Sequence, residues 1–185
     1  MKIIHTNING VMVLEPQVFG DERGYFFEAF NNRNFRHEAA DVVFVQDNES
    51  LSCRGTVRGL HFQKGAAAQA KLVRVVEGRV LDVCVDLRRS SPTFGKWISV
   101  ELSGENHCQL FIPRGLAHGF SVLSEKAIFA YKCDNYYNPK AEGKLNALDP
   151  QLGIDWRISP QEMLRSAKDL SSPGFFELEE DCFYD

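Results

Sequence analysis

The sequence predicts an all-β protein, a sandwich or barrel with short helices at its edges. Many short apolar runs are separated by clusters of turn-forming residues, a helical period is almost absent, and no internal repeat or domain linker occurs before about residue 138. A length of 185 residues suits one domain that buries a sizeable core. We therefore expect residues 1–185 to form one domain, with a jelly-roll barrel at about 10–138 and a helical or irregular segment at about 139–185.

The first third of the chain alternates strands with turns and one helix. Two glycines enclose three charged residues at 19–24, which predicts a turn, and residues 31–38 predict a short helix. Apolar and aromatic runs predict the strands. These strands are expected at residues 11–14, 25–30, 42–46 and 56–63.

The strand at residues 56–63 carries the first candidate for chemistry. Leu60 and Phe62 should face one side of the sheet and His61 the other, beside Gly59. A glycine inside a strand often marks close approach of a ligand or another backbone. A half-buried histidine in an ordinary sheet is the competing interpretation.

The middle of the chain continues the strand pattern. Residues 71–76 and 79–87 flank Glu77-Gly78, which predicts a hairpin. In its second strand one face is wholly apolar, whereas the other carries Asp82 and Asp86. Further strands are expected at residues 97–102, 108–112, 117–123 and 127–133.

The C-terminal segment differs in pattern from the barrel. Ser159 and Glu162 form a capping box, and Pro160 suits the first helical position, so we expect a helix from there to about residue 167 or 168. The acidic and aromatic end at 175–185 predicts a loosely packed or partner-facing tail.

Charge, hydropathy and cysteine usage exclude several functional classes. A net charge of -4 argues against nucleic acid as the main partner but allows a local cationic pocket for a phosphorylated small molecule. No run approaches the ~18 apolar residues of a membrane helix. The five cysteines are odd in number and form no C-x-x-C pair, which predicts free thiols and a cytoplasmic location.

Histidines on predicted strands are also typical of cupins, barrels that often hold a metal on several His and one Glu. Here Gln63 stands where an H-x-H pair would have its second His, and no carboxylate follows closely. His118 ends a P-x-G-x-x-H sequence typical of the second cupin motif. Because two separated histidines cannot complete a metal shell, we predict a cupin-like barrel without a metal.

The candidates for acid–base chemistry lie on the predicted strands and the predicted helix. His61 is the best base, because only His titrates near neutrality unaided. Asp169 and Asp82 are the two candidates for the carboxylate that would orient it. Tyr131 is either an acid or a core tyrosine. Lys71, with Arg58, is a candidate to hold a diphosphate and stabilise an enolate oxygen.

A set of short motifs runs through the chain from about residue 11 to about residue 169. The motifs are Phe19-Gly20-Asp21-Glu22-Arg23-Gly24, Phe27-Glu28, Val45-Gln46-Asp47-Asn48, Arg58-Gly59-Leu60-His61-Phe62-Gln63, Lys71-Leu72-Val73-Arg74, Ser91-Pro92-Thr93-Phe94-Gly95, Ile112-Pro113, Ala117-His118-Gly119-Phe120, Tyr131-Lys132, Tyr136-Tyr137 and Ser166-Ala167-Lys168-Asp169. In this order they resemble the dTDP-4-dehydrorhamnose 3,5-epimerase family. The resemblance implies a metal-free cupin jelly roll that dimerises by strand exchange and works without a cofactor.

The resemblance also implies an activity and residue roles. The activity is epimerisation of dTDP-4-dehydro-6-deoxy-D-glucose at C3 and C5 to dTDP-4-dehydro-L-rhamnose, a step of dTDP-L-rhamnose biosynthesis. His61 resembles the proton acceptor, Asp169 its partner, Tyr131 the proton donor and Lys71 the enolate-stabilising cation. The implied substrate-binding residues, some of them reaching in from a partner subunit, are Arg23, Glu28, Gln46, Asp47, Asn48, Arg58, Lys71, His118, Tyr137, Glu142 and Lys168.

Two departures from the family pattern keep narrower alternatives open. Glu49 stands where a His is expected, and residues 144–148 replace a segment that usually carries a Trp. Both bear on the pocket wall and on regiospecificity rather than on the reaction class. One alternative is a narrower relative from another deoxysugar pathway, either an epimerase acting at C3 or C5 only or a ketoisomerase. The others are a non-catalytic nucleotide-sugar-binding cupin and a metal-dependent oxygenase, which Gln63 opposes.

Overall fold

The computed structural model describes all 185 residues, which form strands and short helical segments joined by turns and irregular loops. The strands are β1 Lys2–His5, β2 Met12–Glu15, β3 Phe19–Asp21, β4 Gly24–Phe26, β5 Gln46–Cys53, β6 Val57–Gln63, β7 Lys71–Glu77, β8 Arg79–Asp86, β9 Trp97–Ser103, β10 Gln109–Ile112, β11 Leu116–Val122, β12 Lys126–Cys133 and β13 Glu142–Lys144. The α-helices are α1 Asn32–Glu38 and α2 Ala167–Leu170. Short 3₁₀ turns occupy Gly65–Ala67, Pro139–Ala141, Pro160–Glu162, Phe175–Glu177 and Glu180–Cys182.

Two sheets face each other and confirm the predicted cupin-like β fold. One has the strand order β1-β2-β10-β7-β12-β5, and the other β13-β6-β11-β8-β9. Their inner faces enclose a core of 14 buried residues, to which Val73 and Phe129 contribute from the first sheet and Cys84 and Phe120 from the second. The small β3–β4 ribbon pairs with neither sheet.

Each sheet also has a covered outer face, which explains why several strands are apolar on both sides. Residues of the C-terminal segment, such as Leu145 and Trp156, pack on the outside of the second sheet against Leu81 and Val83. On the outside of the first sheet, Phe35 of α1 packs with other apolar side chains. The predicted α1 is confirmed, and the Asn31 side chain caps it by accepting from two backbone N–H groups.

The predicted hairpin at residues 71–87 is wrong. Strands β7 and β8 belong to different sheets, because the turn at Gly78 carries the chain from one sheet to the other. Gly78 has φ +83°, and a Cβ there would lie 2.1 Å from the Lys126 carbonyl oxygen. The alternation of apolar and polar residues identifies a strand but not the strand with which it pairs.

Several strand boundaries also differ from the prediction. Residues 42–45 are irregular and pack under the first sheet, whereas the polar run that begins at Gln46 forms β5. The turn predicted at 19–24 is confined to residues 22–23, between β3 and β4, and the strand predicted at 25–30 ends at residue 26. The run 42–45 alternates half-buried Val42 and Phe44 with exposed Val43 and Val45, so it has the pattern of a strand although it is not assigned to a sheet. The polar residues of β5 hide its strand character, because polar side chains are depleted in strands.

The predicted helix from residue 159 is wrong as well. Only one 3₁₀ turn forms, and the Ser159 hydroxyl donates to the Glu162 carboxylate at 2.8 Å instead of capping the backbone. The backbone of Leu164 pairs with Gly55 and Val57 at 2.9 and 3.0 Å, which ends helical pairing there.

The tail is not loosely packed. Phe175 and Cys182 are buried, and the backbone of Tyr184 exchanges hydrogen bonds with Leu87 at 3.1 Å and Arg89 at 2.7 Å. Phe175, Phe183 and Tyr184 therefore cover the second sheet of the chain itself, whereas Phe176 is exposed. All five cysteines are free. None of the helices has the length and apolar character needed to cross a membrane.

Candidate active site

Two histidines face the space between the sheets on adjacent strands. Strands β6 and β11 run antiparallel, with His61 directly opposite His118, and both residues line a cavity of about 670 Å³. Beside them Gly59, at φ +115°, approaches Gly119 so closely that a Cβ would lie 2.7 Å from the Gly119 Cα. A glycine in this strand predicted close approach of either a ligand or another backbone, and the structure shows the approach of another backbone.

The two candidate carboxylates pair with different histidines. Asp169 Oδ1 lies 2.5 Å from His61 Nε2, and both oxygens of Asp82 lie within 3.0 Å of His118 Nε2. Asp169 is buried in α2, where the Ser166 side chain accepts from its backbone N–H at 3.1 Å. This short capped turn presents a carboxylate from the distant C-terminal segment to the strand of His61.

The environment of His61 favours its neutral form. Burial lowers the pKa of the imidazole below its ordinary value of 6.5, and the cation of Lys71 lowers it further. The charge of Asp169 acts in the opposite sense and raises the pKa, but burial is the larger effect. At neutral pH the ring is therefore uncharged, and it can accept a proton on the nitrogen that does not face Asp169.

Lys71 and Tyr131 lie on the opposite sheet, on the adjacent strands β7 and β12. The Lys71 Nζ is 5.9 Å from the centre of the Tyr131 ring, and both side chains line the cavity of His61. Burial lowers the pKa of Lys71 below 10.5 and raises the pKa of Tyr131 above 10.0. The tyrosine consequently stays protonated over the physiological range and can donate its proton.

A second cavity, of about 340 Å³, continues from the same three side chains toward the edge of the barrel. It reaches Tyr137, whose backbone N–H donates to Gln46 Oε1 at 2.9 Å, and Glu142, which accepts hydrogen bonds from Lys168 and from the Tyr137 hydroxyl. The structure thus brings most of the predicted site residues to two adjoining cavities. Those residues are His61, Lys71, Tyr131, Asp169, Arg58, His118, Lys168, Gln46, Asn48, Tyr137 and Glu142.

Three predicted site residues lie outside these cavities. Arg23 is on the exposed β3–β4 turn, where it forms an ion pair with Asp21. Glu28 lines a separate cavity of about 320 Å³ and accepts from the Asn31 side chain at 3.1 Å. Asp47 faces outward and pairs with a lysine of β12, Lys132, at 2.6 Å. A single copy of the chain does not bring these residues to His61.

The cavity wall also includes residues that the sequence patterns did not predict. Met163, Leu164 and Arg165 lie between the 3₁₀ turn and α2 and line the larger cavity, next to Glu49, which the sequence did associate with the pocket wall. In the sequence they fell inside a predicted helix, in which an arginine is usually a solvated surface charge. Only knowledge of the Leu164 backbone pairing would have directed them to the site.

The side chains near His61 do not form a metal-binding set. Gln63, which replaces the second His of a cupin pair, accepts from the Asn138 backbone N–H at 2.8 Å. No group of three or more His, Cys, Asp or Glu side chains is placed to hold an ion. His61 and His118 instead each pair with one carboxylate.

These features define a cupin-like barrel whose interior carries acid–base groups on both facing sheets. A family model described as dTDP-4-dehydrorhamnose 3,5-epimerase matches residues 5–177, and the chain belongs to that family. A relative of this name from Salmonella typhimurium is 53% identical over 174 residues, which cover 94% of each chain.

Solved structures agree with this membership. A dTDP-6-deoxy-D-glucose-3,5-epimerase from Legionella pneumophila, in complex with dTDP-4-keto-L-rhamnose, is 46% identical with a TM-score of 0.95, covering 99% of this chain and 97% of that one. ChmJ, a 3′-monoepimerase from Streptomyces bikiniensis in complex with dTDP-quinovose, is 35% identical with a TM-score of 0.83, covering 91% and 85%. The similarity therefore includes enzymes of two regiospecificities.

Proposed function

We propose that the protein epimerises dTDP-4-dehydro-6-deoxy-D-glucose at C3 and C5 and forms dTDP-4-dehydro-L-rhamnose for dTDP-L-rhamnose biosynthesis. One observation carries the proposal: a neutral His61 on one sheet faces Lys71 and Tyr131 on the other across a single cavity. Inversion at carbon needs a base and an acid on opposite faces of the sugar ring, and two facing sheets provide such an arrangement.

The C4 ketone makes the hydrogens at C3 and C5 acidic. His61 removes one of these protons, and the electrons of the broken C–H bond form a C=C bond while the C4 oxygen becomes an enolate. Lys71 stabilises that oxygen in a site of low dielectric. Tyr131 then gives its proton to the opposite face of the carbon, the ketone re-forms, and His61 and Tyr131 return to their starting states by exchange with solvent. These steps need no cofactor.

Asp169 orients His61 and stabilises the imidazolium that forms when the ring takes up the proton. The carboxylate is almost completely buried and 2.5 Å from Nε2, so its charge acts with little screening. The resting imidazole stays neutral because burial outweighs this charge, and the imidazolium is stabilised only during turnover. We assign Asp82 the same orienting role toward His118, which would contact the sugar or its phosphate.

The nucleotide is bound along the two cavities. Arg58, His118 and Lys168 supply cationic or donor groups for the diphosphate at the larger cavity. Tyr137 stacks on the thymine, at the far end of the smaller cavity near Gln46.

A homodimer would complete the site. Arg23 and Glu28 reach the cavity of the partner subunit, and Asp47 contacts the nucleotide near the subunit boundary. This is supported by the β3–β4 ribbon, which exposes Phe19 and Phe26 by 56% and 70%. The free thiols are consistent with a cytoplasmic enzyme.

The second candidate is epimerisation at one carbon only. The similarity to the 3′-monoepimerase favours keeping it, as does Glu49 in the cavity wall. The altered segment 144–148 lines neither of the two cavities. The higher identity to double epimerases favours the first candidate.

Product analysis by NMR separates the candidates. Purified protein is incubated with dTDP-4-dehydro-6-deoxy-D-glucose, and the proton–proton couplings of the sugar ring report the configuration at C3 and C5. Inversion at both carbons, absent in His61→Ala, supports the double epimerase. Inversion at one carbon selects the second candidate. Recovery of unchanged sugar, with binding of the substrate demonstrated, rejects both and leaves a binding protein.

A further inference from the structure

One cationic side chain in the cavity wall has no role in the proposed reaction. Arg165 lies just before α2 and lines the cavity of His61. We propose that Arg165 is a positioning residue that holds the backbone of Asp169 and thereby keeps its carboxylate against His61. This inference rests on the proposed function, in which Asp169 orients the base.

The contacts of Arg165 join two separate segments. Its Nη2 donates to the backbone carbonyl of Asp169 at 2.8 Å and to the side-chain oxygen of Asn146 at 3.1 Å. Asp169 is therefore held from both sides, by Arg165 at its carbonyl and by His61 at its carboxylate. The α2 helix is only four residues long and cannot be stable on its own, so an external contact has to fix it.

Asn146 connects this contact to the strand of His61. It follows Leu145, whose backbone exchanges two hydrogen bonds with Leu60 at 3.0 and 3.1 Å, one residue before His61. Its own N–H donates to the Pro173 carbonyl beyond α2 at 2.7 Å. A closed circuit of contacts thus runs from His61 through Leu60, Leu145, Asn146, Arg165 and Asp169 back to His61.

The segment that departs from the family pattern takes part in this circuit of contacts. Residues 144–148 lack the expected Trp, but Asn146 within them provides a side-chain acceptor that an indole ring, a donor only, would not offer. Arg165 suits this acceptor because the planar guanidinium can contact two oxygens with a fixed geometry, which the ammonium of a lysine does not.

Arg165 is half-buried, and one of its donors takes no part in these contacts. Its Nε is buried and has no hydrogen-bond partner, an arrangement that costs free energy. An apolar side chain of similar volume would remove that cost. The Nε therefore adds nothing to stability, and the role of Arg165 rests on the two contacts of its Nη2.

A double-mutant cycle tests the inference. The variants are Arg165→Met, which keeps the volume but removes every donor, Asp169→Asn, and the two combined. Turnover is followed as in the product assay, with the melting temperature as a measure of folding. Arg79→Met is the matched control, because Arg79 is an exposed arginine that forms an ion pair with Glu101 at 3.7 Å.

We expect Arg165→Met to lower kcat about tenfold with KM changed less than about twofold, and to change kcat less than about twofold in the Asp169→Asn background. Additive losses in the cycle, or an unchanged kcat in Arg165→Met, would overturn the inference. If Arg165→Met does not fold, Arg165→Lys replaces it in the cycle. A loss of kcat that disappears in the Asp169→Asn background supports the same conclusion, whereas an additive loss or no loss overturns it. Failure of the proposed function would give a different result. The wild type would then show no turnover, or Asp169→Asn would show no loss of kcat.

Discussion

Replacing Asp169 by Asn tests the most specific consequence of the geometry. The substitution keeps the size of the side chain but removes its charge 2.5 Å from His61 Nε2. Two unit charges with centres about 4 Å apart interact by about 4 kcal/mol at an effective dielectric of about 20. The charged imidazolium forms only during turnover, so this energy is lost mainly from the transition state. An upper limit on the loss of kcat is therefore about 10³-fold, and we expect about 10²-fold or more.

The pH profile of the same variant gives an independent readout. The charge of Asp169 raises the pKa of His61, so its removal lowers that pKa further below 6.5. The acid limb of kcat, along which His61 becomes protonated and inactive as a base, should therefore move to lower pH. The melting temperature should change by only a few degrees, because resting His61 is neutral in both proteins. A variant that retains more than a tenth of wild-type kcat, with its acid limb unmoved, would refute the reasoning.

The remaining predictions concern other parts of the molecule. The wild-type rate should fall on the acid side with a pKa below 6.5, as His61 becomes protonated. It should fall on the alkaline side with a pKa below 10.5, as Lys71 loses its proton. A pH–rate profile checks both limbs. Tyr131→Phe should still exchange the substrate hydrogens with solvent, but inversion of configuration at the carbon should be at least tenfold slower. Parallel NMR measurements of isotope exchange and of product would report the two rates. Phe175→Ala should lower the free energy of unfolding in urea by about 3 kcal/mol, because Phe175 is buried under the second sheet, and a change below about 1 kcal/mol would contradict this. Arg23→Ala should raise KM without unfolding the chain. An unchanged KM would argue against a contribution of Arg23 to the substrate site of a partner subunit.

The sequence was informative where local patterns decide the outcome. Alternation located β6 and β8, and Asn31 marked the start of α1. The same patterns failed where pairing depends on distant residues. Glu77-Gly78 has the composition of a hairpin turn, yet the two flanking strands belong to different sheets, which only the whole sheet arrangement determines.

The candidate site divides in the same way. His61, Lys71 and Tyr131 lie on strands that the pattern located, so their residue types alone indicated a chemistry. Residue type and spacing alone could not distinguish Asp82 from Asp169 as the partner of His61, because the choice depends on how the C-terminal segment folds back over the barrel; only the family resemblance indicated Asp169. Arg165 carried no signal, since its helix was predicted to continue through it, whereas the backbone pairing of Leu164 interrupts that helix and turns the side chain to the cavity wall.

The most direct test of the whole account is isotope uptake from heavy water. The protein is incubated with dTDP-4-dehydro-6-deoxy-D-glucose in D₂O, and deuterium at C3 and C5 is measured by NMR. A base on one sheet and an acid on the other predict deuterium at both carbons of the product, and none in His61→Ala. If the substrate binds but neither carbon takes up deuterium in the wild type, the cavity does not perform proton transfer and the central claim is wrong.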